Sequence, residues 1–325
     1  MGKNKVLVTG VSGFIGSKTT QVLLDNDFEV VGIDNMNDYY DVRLKQHRLA
    51  QLQGKPGFEF VKLDIENLSK LDRLFEKHNF DSVINLAARA GVRYSMINPH
   101  VYMTTNANAT LNLLELMRKY EIKKMVLAST SSLYAGQPMP FKETLPVNQP
   151  ISPYAASKKA AEMMAYAYSY QYDLDISVVR FFTVYGPAGR PDMSIFRFIK
   201  WIDQGDTIEL FGDGSQSRDF TYIDDIVNGV LKALKPLGFE IINLGGGNNP
   251  ISINYTIEFI ENYLNKKANI ENKPFHKADI LETWADISKA KKLLDWEPSI
   301  ELDEGLTRTL DWYLNNKDWL KDIEL

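Results

Sequence analysis

The chain has no cysteine in its 325 residues. That excludes disulfides, thiolate metal sites and a cysteine nucleophile, and it fits a reducing compartment. Histidine is scarce: His47, His78, His100 and His276 are scattered without metal-ligand spacing, so no metal is expected. No apolar run approaches the roughly 18 residues needed to cross a bilayer, which argues against a membrane. Charge of one sign is also lacking. Lys and Arg number 37 against 42 Asp and Glu, a net charge of −5, and no basic run is interleaved with aromatics. A nucleic-acid surface is therefore not expected. A strand begins within about five residues of the N-terminus, which leaves no room for a signal peptide, so a soluble cytoplasmic protein is expected. Internal repeats and low-complexity segments are absent.

What is present is a rhythm. Short apolar, β-branched runs at 5–9, 29–33, 58–63, 82–86, 124–128 and 176–181 read as buried strands. Helical stretches separate them: one ending near 26, then one from 41 to about 52, then 68–78, 98–120 and 153–172. Alternation of this kind calls for an α/β fold, a doubly wound parallel sheet of Rossmann type with helices on both faces. After Phe182 the rhythm loosens, and turns at Gly212-Asp213-Gly214 and Gly245-Gly246-Gly247 punctuate shorter elements. The expected division is residues 1–182, with a returning strand near 240–244, and a smaller α/β substrate-binding domain over 183–325.

Gly10-x-x-Gly13-x-x-Gly16 lies between the first strand and the first helix. Glycine permits a tight turn and lets the backbone approach a pyrophosphate, which a helix N-terminus attracts. Asp34 ends the second strand 18 residues after Gly16. A carboxylate there accepts hydrogen bonds from adenosine ribose hydroxyls and repels a 2′-phosphate, which favours NAD over NADP. Asp64, ending the third strand, is placed either to meet the adenine edge or to cap the next helix.

A second pattern carries chemistry. Tyr154 and Lys158 are four apart and share a helix face, which Ser152-Pro153 opens as N-cap and first residue. The ammonium is expected to lower the phenol's pKa and make Tyr154 a usable general base. The hydroxyl run Ser129-Thr130-Ser131-Ser132 precedes it. Three other Tyr-x-x-x-Lys pairs, Tyr120/Lys124, Tyr263/Lys267 and Tyr313/Lys317, lack such a run and read as helix-surface pairs.

With these elements in order, residues 5–310 resemble the extended short-chain dehydrogenase/reductase family. The matching residues are Gly10, Gly13, Gly16, Asp34, Asp64-Ile65, Leu86-Ala87-Ala88, Asn106, Thr130, Tyr154 and Lys158. Within that family three stretches look most like the UDP-glucuronate 4-epimerases: 34–41 (DNMNDYYD), 86–95 (LAARAGVRYS) and 180–193 (RFFTVYGPAGRPDM). The resemblance implies bound NAD held by those glycines with Phe14, Ile15, Asp34, Asn35, Asp64, Ile65, Leu86, Ala87, Ala88, Asn106, Tyr154 and Lys158. It implies a uridine-diphosphate sugar contacted by Arg93, Ser131, Ser132, Thr183, Arg190, Phe211, Arg218 and Asp279, with Thr183 and Arg190 on its carboxylate. It also implies a homodimer built on the helices at 98–120 and 153–172. Three positions depart from the family pattern: Arg89 replaces a glutamine, Ala135 a glycine, and 276–279 reads His-Lys-Ala-Asp where Gln-Pro-Gly-Asp is expected.

The implied reaction is inversion at the sugar C4 through a transient ketone, with Thr130, Tyr154 and Lys158 as the reacting set. The alternatives are a 4-epimerase of UDP-glucose or UDP-N-acetylglucosamine, a UDP-glucuronate decarboxylase, and a non-catalytic NAD-binding scaffold. Dehydratases and decarboxylases usually place an acid within the stretch 130–132, and none stands there.

Overall fold

The structure, a computed structural model, describes residues 3–247, 250–275 and 280–325. Seven parallel strands form the central sheet: β1 (Lys5–Thr9), β2 (Glu29–Asp34), β3 (Phe58–Lys62), β4 (Ser82–Asn85), β5 (Lys124–Thr130), β6 (Asp175–Phe181) and β11 (Phe239–Leu244). Their spatial order is β11-β6-β5-β4-β1-β2-β3, so the chain reverses direction across the sheet between β1 and β4. Ligands of open α/β sheets bind at that switch point, outside the carboxyl ends of the strands. Because side chains alternate along a strand, each face builds its own core. Val6, Val8, Val30, Ile84 and Val126 pack on one side, and Leu7, Val31, Ile33, Val83 and Met125 on the other.

Helices α1 (Phe14–Asp25), α2 (Val42–Ala50), α3 (Leu68–Lys77), α6 (Ala109–Lys119) and α7 (Pro153–Tyr172) flank the sheet. Ser152 caps α7 by accepting from the Ala155 N–H at 3.1 Å, as its sequence indicated. After β6 come β7 (Thr183–Tyr185), α8 (Ser194–Gln204), β8 (Thr207–Phe211), β9 (Ser217–Arg218), β10 (Phe220–Tyr222) and α9 (Ile223–Lys232). Short ladders β7–β10, β9–β12 (Ile251–Ser252) and β8–β13 (Asn269–Lys273) lie in this part, with α10 (Ile253–Leu264), α11 (Ser288–Leu294) and α12 (Leu302–Asn315). These pieces share a third core, centred on Tyr185, Phe196, Ile199, Tyr222, Ile257 and Leu310, to which Phe14 of α1 and Leu44 of α2 also belong.

The expected helix over 98–120 is more divided than its pattern suggested. A separate helix α4 (Val92–Ile97) precedes it and stops at Asn98, whose φ of −132° is extended. The residue before a proline avoids the α region, and Pro99 follows. A short α5 (His100–Tyr102) then runs into a π-helical turn, Met103–Asn108. π turns insert one residue into a helix and re-aim the side chains that follow. Here the turn carries Asn106, which is 2% exposed.

Helix α7 is fixed to the sheet by one buried ion pair. Arg180 of β6 grips Glu162 in two parallel bonds, Nε to Oε1 at 2.8 Å and Nη2 to Oε2 at 2.7 Å. Both side chains are essentially inaccessible. Ser129 of β5 donates to the same carboxylate at 2.6 Å, and the remaining Arg180 nitrogen donates to Tyr134, whose hydroxyl donates to Asn243 of β11. Removing one partner of a buried pair strands the other charge, at a cost of about 3–5 kcal/mol. Arg180→Met should lose stability on that scale, read from the urea unfolding midpoint. A loss below about 1 kcal/mol would contradict the role given to the pair.

Candidate active site

The carboxyl ends of β1, β2, β4, β5 and β6 open into a cavity of about 380 Å³. The β1–α1 turn forms its floor. A Cβ on Gly16 would stand 2.1 Å from the Gly10 carbonyl oxygen, and one on Gly10 would stand 2.8 Å from the Ala87 nitrogen. Only glycine lets this turn close under the loop that follows β4. Thr9 stitches the two together: its hydroxyl donates to Asn85 and accepts from the Leu86 and Ala87 N–H groups. No side chain caps α1 at Gly13, and Gly13, Phe14 and Ile15 line the cavity. The leading N–H groups of that helix are thus available to an anion, the chemistry a pyrophosphate needs.

Asp34 stands at the next strand end, 7% exposed. It accepts from the Ser12 N–H at 3.1 Å and the Met36 N–H at 2.8 Å, which leaves lone pairs for hydroxyl donors. Asn35 donates to Asp64 at 2.8 Å. Asp64 is not the helix cap: Asn67 caps α3, accepting from the Lys70 N–H. Leu86, Ala87, Ala88, Ile65 and Asp64 complete the wall. These residues fit NAD, whose diphosphate would meet the glycine turn and whose adenosine ribose would meet Asp34.

At the far end lie Thr130, Ser131, Ser132, Tyr154, Lys158, Phe181, Thr183 and Arg190, all lining the same cavity. Tyr154 and Lys158 face it from the first turns of α7. The electrostatics differ from expectation. Burial pushes the Tyr154 phenol up; a bond from the Thr130 hydroxyl and the positive charge of Arg190 pull it down. The Lys158 ammonium donates to the Ala128 carbonyl at 3.0 Å. Burial holds Lys158 down to about 8, against the pull of Glu162 one turn further on. The other three Tyr-x-x-x-Lys pairs serve structure: Tyr120 donates to Asp72, Tyr263 to Asp311 and Tyr313 to Asp203, while their lysines pair with Asp175, Glu261 and Asp203.

Not every expected contact reaches this cavity. Asn106 does not line it. Its amide donates to the Arg89 carbonyl and Ser157 Oγ and accepts from the Arg89 N–H, so it holds the β4 loop against α7. Arg93 lies over the Phe211 ring, 3.9 Å from its centroid, and joins α4 to β8 beside the cavity rather than in it. Arg218 donates to the Ser217 carbonyl at 2.8 Å, also outside the wall. Asp279 and the rest of 276–279 lie outside the described residues. Arg190 carries a near partner, a bidentate bond to Asp192.

The sequence reading missed Lys45 and Arg48, both on α2 and 6% and 3% exposed. Lys45 lines the cavity with its ammonium 3.7 Å from Asp34. The available signal was two cations interleaved with the buried Leu44 and Leu49 on one short helix. Tyr39 was also missed; it lines the same cavity. Among the described residues no acidic or histidine cluster could hold a metal ion, and no helix is long and apolar enough to cross a membrane.

A Rossmann sheet with a glycine turn, an acid at the end of β2 and a Thr/Tyr/Lys set at the switch point defines a nicotinamide-dependent short-chain dehydrogenase/reductase. The model of the family described as GDP-mannose 4,6 dehydratase matches residues 7–309, and the chain belongs to this family, among the extended short-chain dehydrogenases/reductases. A UDP-glucuronate 4-epimerase of Thermodesulfobacterium geofontis is 59% identical over 98% of this chain and 99% of its own. The crystal structure of UDP-glucuronic acid 4-epimerase from Bacillus cereus with UDP-glucuronic acid and NAD superposes with a TM-score of 0.89. It is 37% identical over 96% of this chain and 99% of its own. The UDP-glucose 4-epimerase of Thermotoga maritima, solved with UDP-glucose, gives 0.88 at 31% identity, over 96% and 99%.

The depressed Lys158 has a consequence for stability. Its ammonium titrates near 8 when folded and near 10.5 when exposed. The unfolded chain therefore binds more protons between those values, and folding is favoured increasingly as pH rises through them. On nucleotide-free protein, the stability of wild type relative to Lys158→Met should improve by up to about 3 kcal/mol between pH 8 and 10.5. A difference that stays flat over that range would contradict the burial argument.

Proposed function

We propose that this protein inverts C4 of UDP-glucuronate to give UDP-galacturonate, using NAD that stays bound. The observation that carries the reading is the single cavity. It joins a pyrophosphate-binding turn and Asp34 at one end to Thr130, Tyr154, Lys158, Thr183 and Arg190 at the other.

Bound nicotinamide supplies a reversible hydride acceptor and donor, so no net oxidant is consumed. Tyr154, as phenolate, takes the proton from the sugar C4 hydroxyl and later returns one to the C4 oxygen. Thr130, hydrogen-bonded to that phenol, orients the same oxygen and stabilises the deprotonated form. Lys158 supplies positive charge beside the phenol and donors for ribose hydroxyls. Arg190 acts twice: its charge favours phenolate, and with Thr183 it holds the sugar carboxylate. A 4-keto uronate is a β-keto acid and loses carbon dioxide readily. Keeping its carboxylate near the carbonyl plane denies that bond the overlap it needs to break. Ser131 and Ser132 add neutral donors, and no acid at 130–132 is present to promote elimination.

Residues 1–182 with the strand β11 supply the cofactor side, and 183–325 mainly the nucleotide-sugar side. Arg93, Phe211, Arg218 and Asp279 belong to the expected diphosphate and uridine contacts. The cysteine-free composition supports a cytoplasmic location. A homodimer fits the surface: α6 and α7 lie side by side. On α7, Met163, Tyr166 and Tyr170 are 46%, 50% and 74% exposed at helical spacing.

Incubation of the purified protein with UDP-glucuronate, followed by proton NMR, tests the reading. UDP-galacturonate should appear without added reductant. A UDP-pentose as main product would move the assignment to a decarboxylase, and conversion of UDP-glucose alone would move it to neutral sugars. Tyr154→Phe should keep NAD and lose at least about 10³-fold in turnover; turnover within several-fold of wild type removes Tyr154 from the role. Arg190→Ala should raise the decarboxylated share, and an unchanged product ratio counts against its grip on the carboxylate. Met163→Glu with Tyr170→Glu should convert a dimer to monomer by light scattering; an unchanged mass places the interface elsewhere.

A further inference from the structure

Arg48 is a buried cation that the chemistry described so far does not use. It lies in the last turn of α2, and among the described residues no carboxylate comes within ion-pair range of it. Its guanidinium is satisfied by neutral oxygens from three segments. Nε and Nη2 both donate to the Ala188 carbonyl, at 2.9 and 2.7 Å, and Nη2 also donates to the Gly189 carbonyl at 2.9 Å. Nη1 donates to the Tyr40 hydroxyl at 2.7 Å and more weakly to the Ser12 carbonyl at 3.4 Å. The Phe14 and Tyr40 rings stand 6.0 and 5.6 Å from the guanidinium carbon. A desolvated guanidinium persists only where its donors are met, and here they are met by the glycine turn, by the segment before α2, and by the loop after β7.

The loop it grips is the one that carries Arg190. Ala188 sits at φ +54°, a conformation uncommon for a residue with a Cβ. Gly186 at φ +149° places its α-carbon where a Cβ would come within 2.6 Å of Ile223. A backbone of this shape needs outside support to persist. Arg48 gives it at 188 and 189, the residues that set the origin of the Arg190 side chain. The same guanidinium touches Ser12, whose N–H donates to Asp34. One side chain therefore ties the wall of the cofactor end to the loop that presents Arg190.

We propose that Arg48 is a positioning residue for the carboxylate grip, acting through the backbone of 188–189 to hold Arg190 in the geometry that suppresses decarboxylation. This rests on the function proposed above. The side reaction gives a sensitive readout. When the oxidised sugar loses carbon dioxide, the electron pair of the broken bond becomes an enolate that takes a proton at C5. Release of the resulting 4-keto-pentose leaves one NADH on the enzyme per sugar lost. The partition ratio, keto-pentose formed per epimerisation event, is independent of how much protein is folded.

Wild type, Arg48→Lys and Tyr40→Phe, each with its co-purified nucleotide, would be given UDP-glucuronate; keto-pentose and UDP-galacturonate would be counted by NMR and NADH at 340 nm. Lysine keeps the charge but cannot make the paired bonds to 188 and 189. The ratio should rise about tenfold in Arg48→Lys, the scale on which small misplacements act. It should rise less in Tyr40→Phe, which removes one guanidinium partner and leaves the rest. Reduced total activity with a wild-type ratio in both variants would show a merely structural role and overturn the proposal. Failure of wild type itself to make UDP-galacturonate would instead overturn the function on which it rests.

Discussion

The site depends first on where α7 sits against the sheet, and the Glu162–Arg180 pair decides that. Tyr154, Lys158 and Glu162 are each four residues apart, so they form one stripe on the helix. The third member is bound bidentately to β6 and by Ser129 to β5. Fixing Glu162 fixes the register of the stripe, and it ties the strand that ends in Thr130 to the same anchor. The carboxylate is also the one group drawing Lys158 toward its charged form against burial. A structural ion pair and the Tyr154/Lys158 set thus share a helix face, and neither helix rotation nor strand sliding can move one without the other.

The second constraint is the joining of two ends of one cavity. The cofactor end is built from backbone: a glycine turn that admits no Cβ, the start of a helix, and Asp34 held by two N–H groups. The substrate end is built from charge. Arg190 stands close enough to Tyr154 to lower its pKa, and its paired Asp192 keeps that charge from being wholly uncompensated before substrate arrives. Under the function proposed above, a carboxylated sugar entering this end would meet a cation that also favours the base taking the proton from its C4 hydroxyl.

Much of this was legible in the chain. The six strands of the alternating part, the returning strand, the bounds of α7 and its Ser152 cap follow from apolar period and cap chemistry, which are local. So does the gathering of Gly10, Asp34, Thr130 and Tyr154, because strand ends of a parallel sheet share one edge. What was not legible depends on distant partners. Lys158 reads as the neighbour of Tyr154 because four residues on a helix share a face; that its ammonium also reaches the Ala128 carbonyl, thirty residues away in sequence, is not visible there. The π turn that aims Asn106 inward has no simple residue signature. Arg48 and Lys45 were not singled out in the sequence, because the groups that meet them, the Ala188 and Gly189 carbonyls and Asp34, come from other segments.

The central claim is a closed cycle at C4, in which the hydrogen removed from that carbon returns to its opposite face within one residence of the sugar. UDP-glucuronate carrying deuterium at C4 tests it most directly. The account predicts UDP-galacturonate with the deuterium still at C4 and no solvent hydrogen there. Loss of the label to water, or its appearance at another carbon, would contradict it.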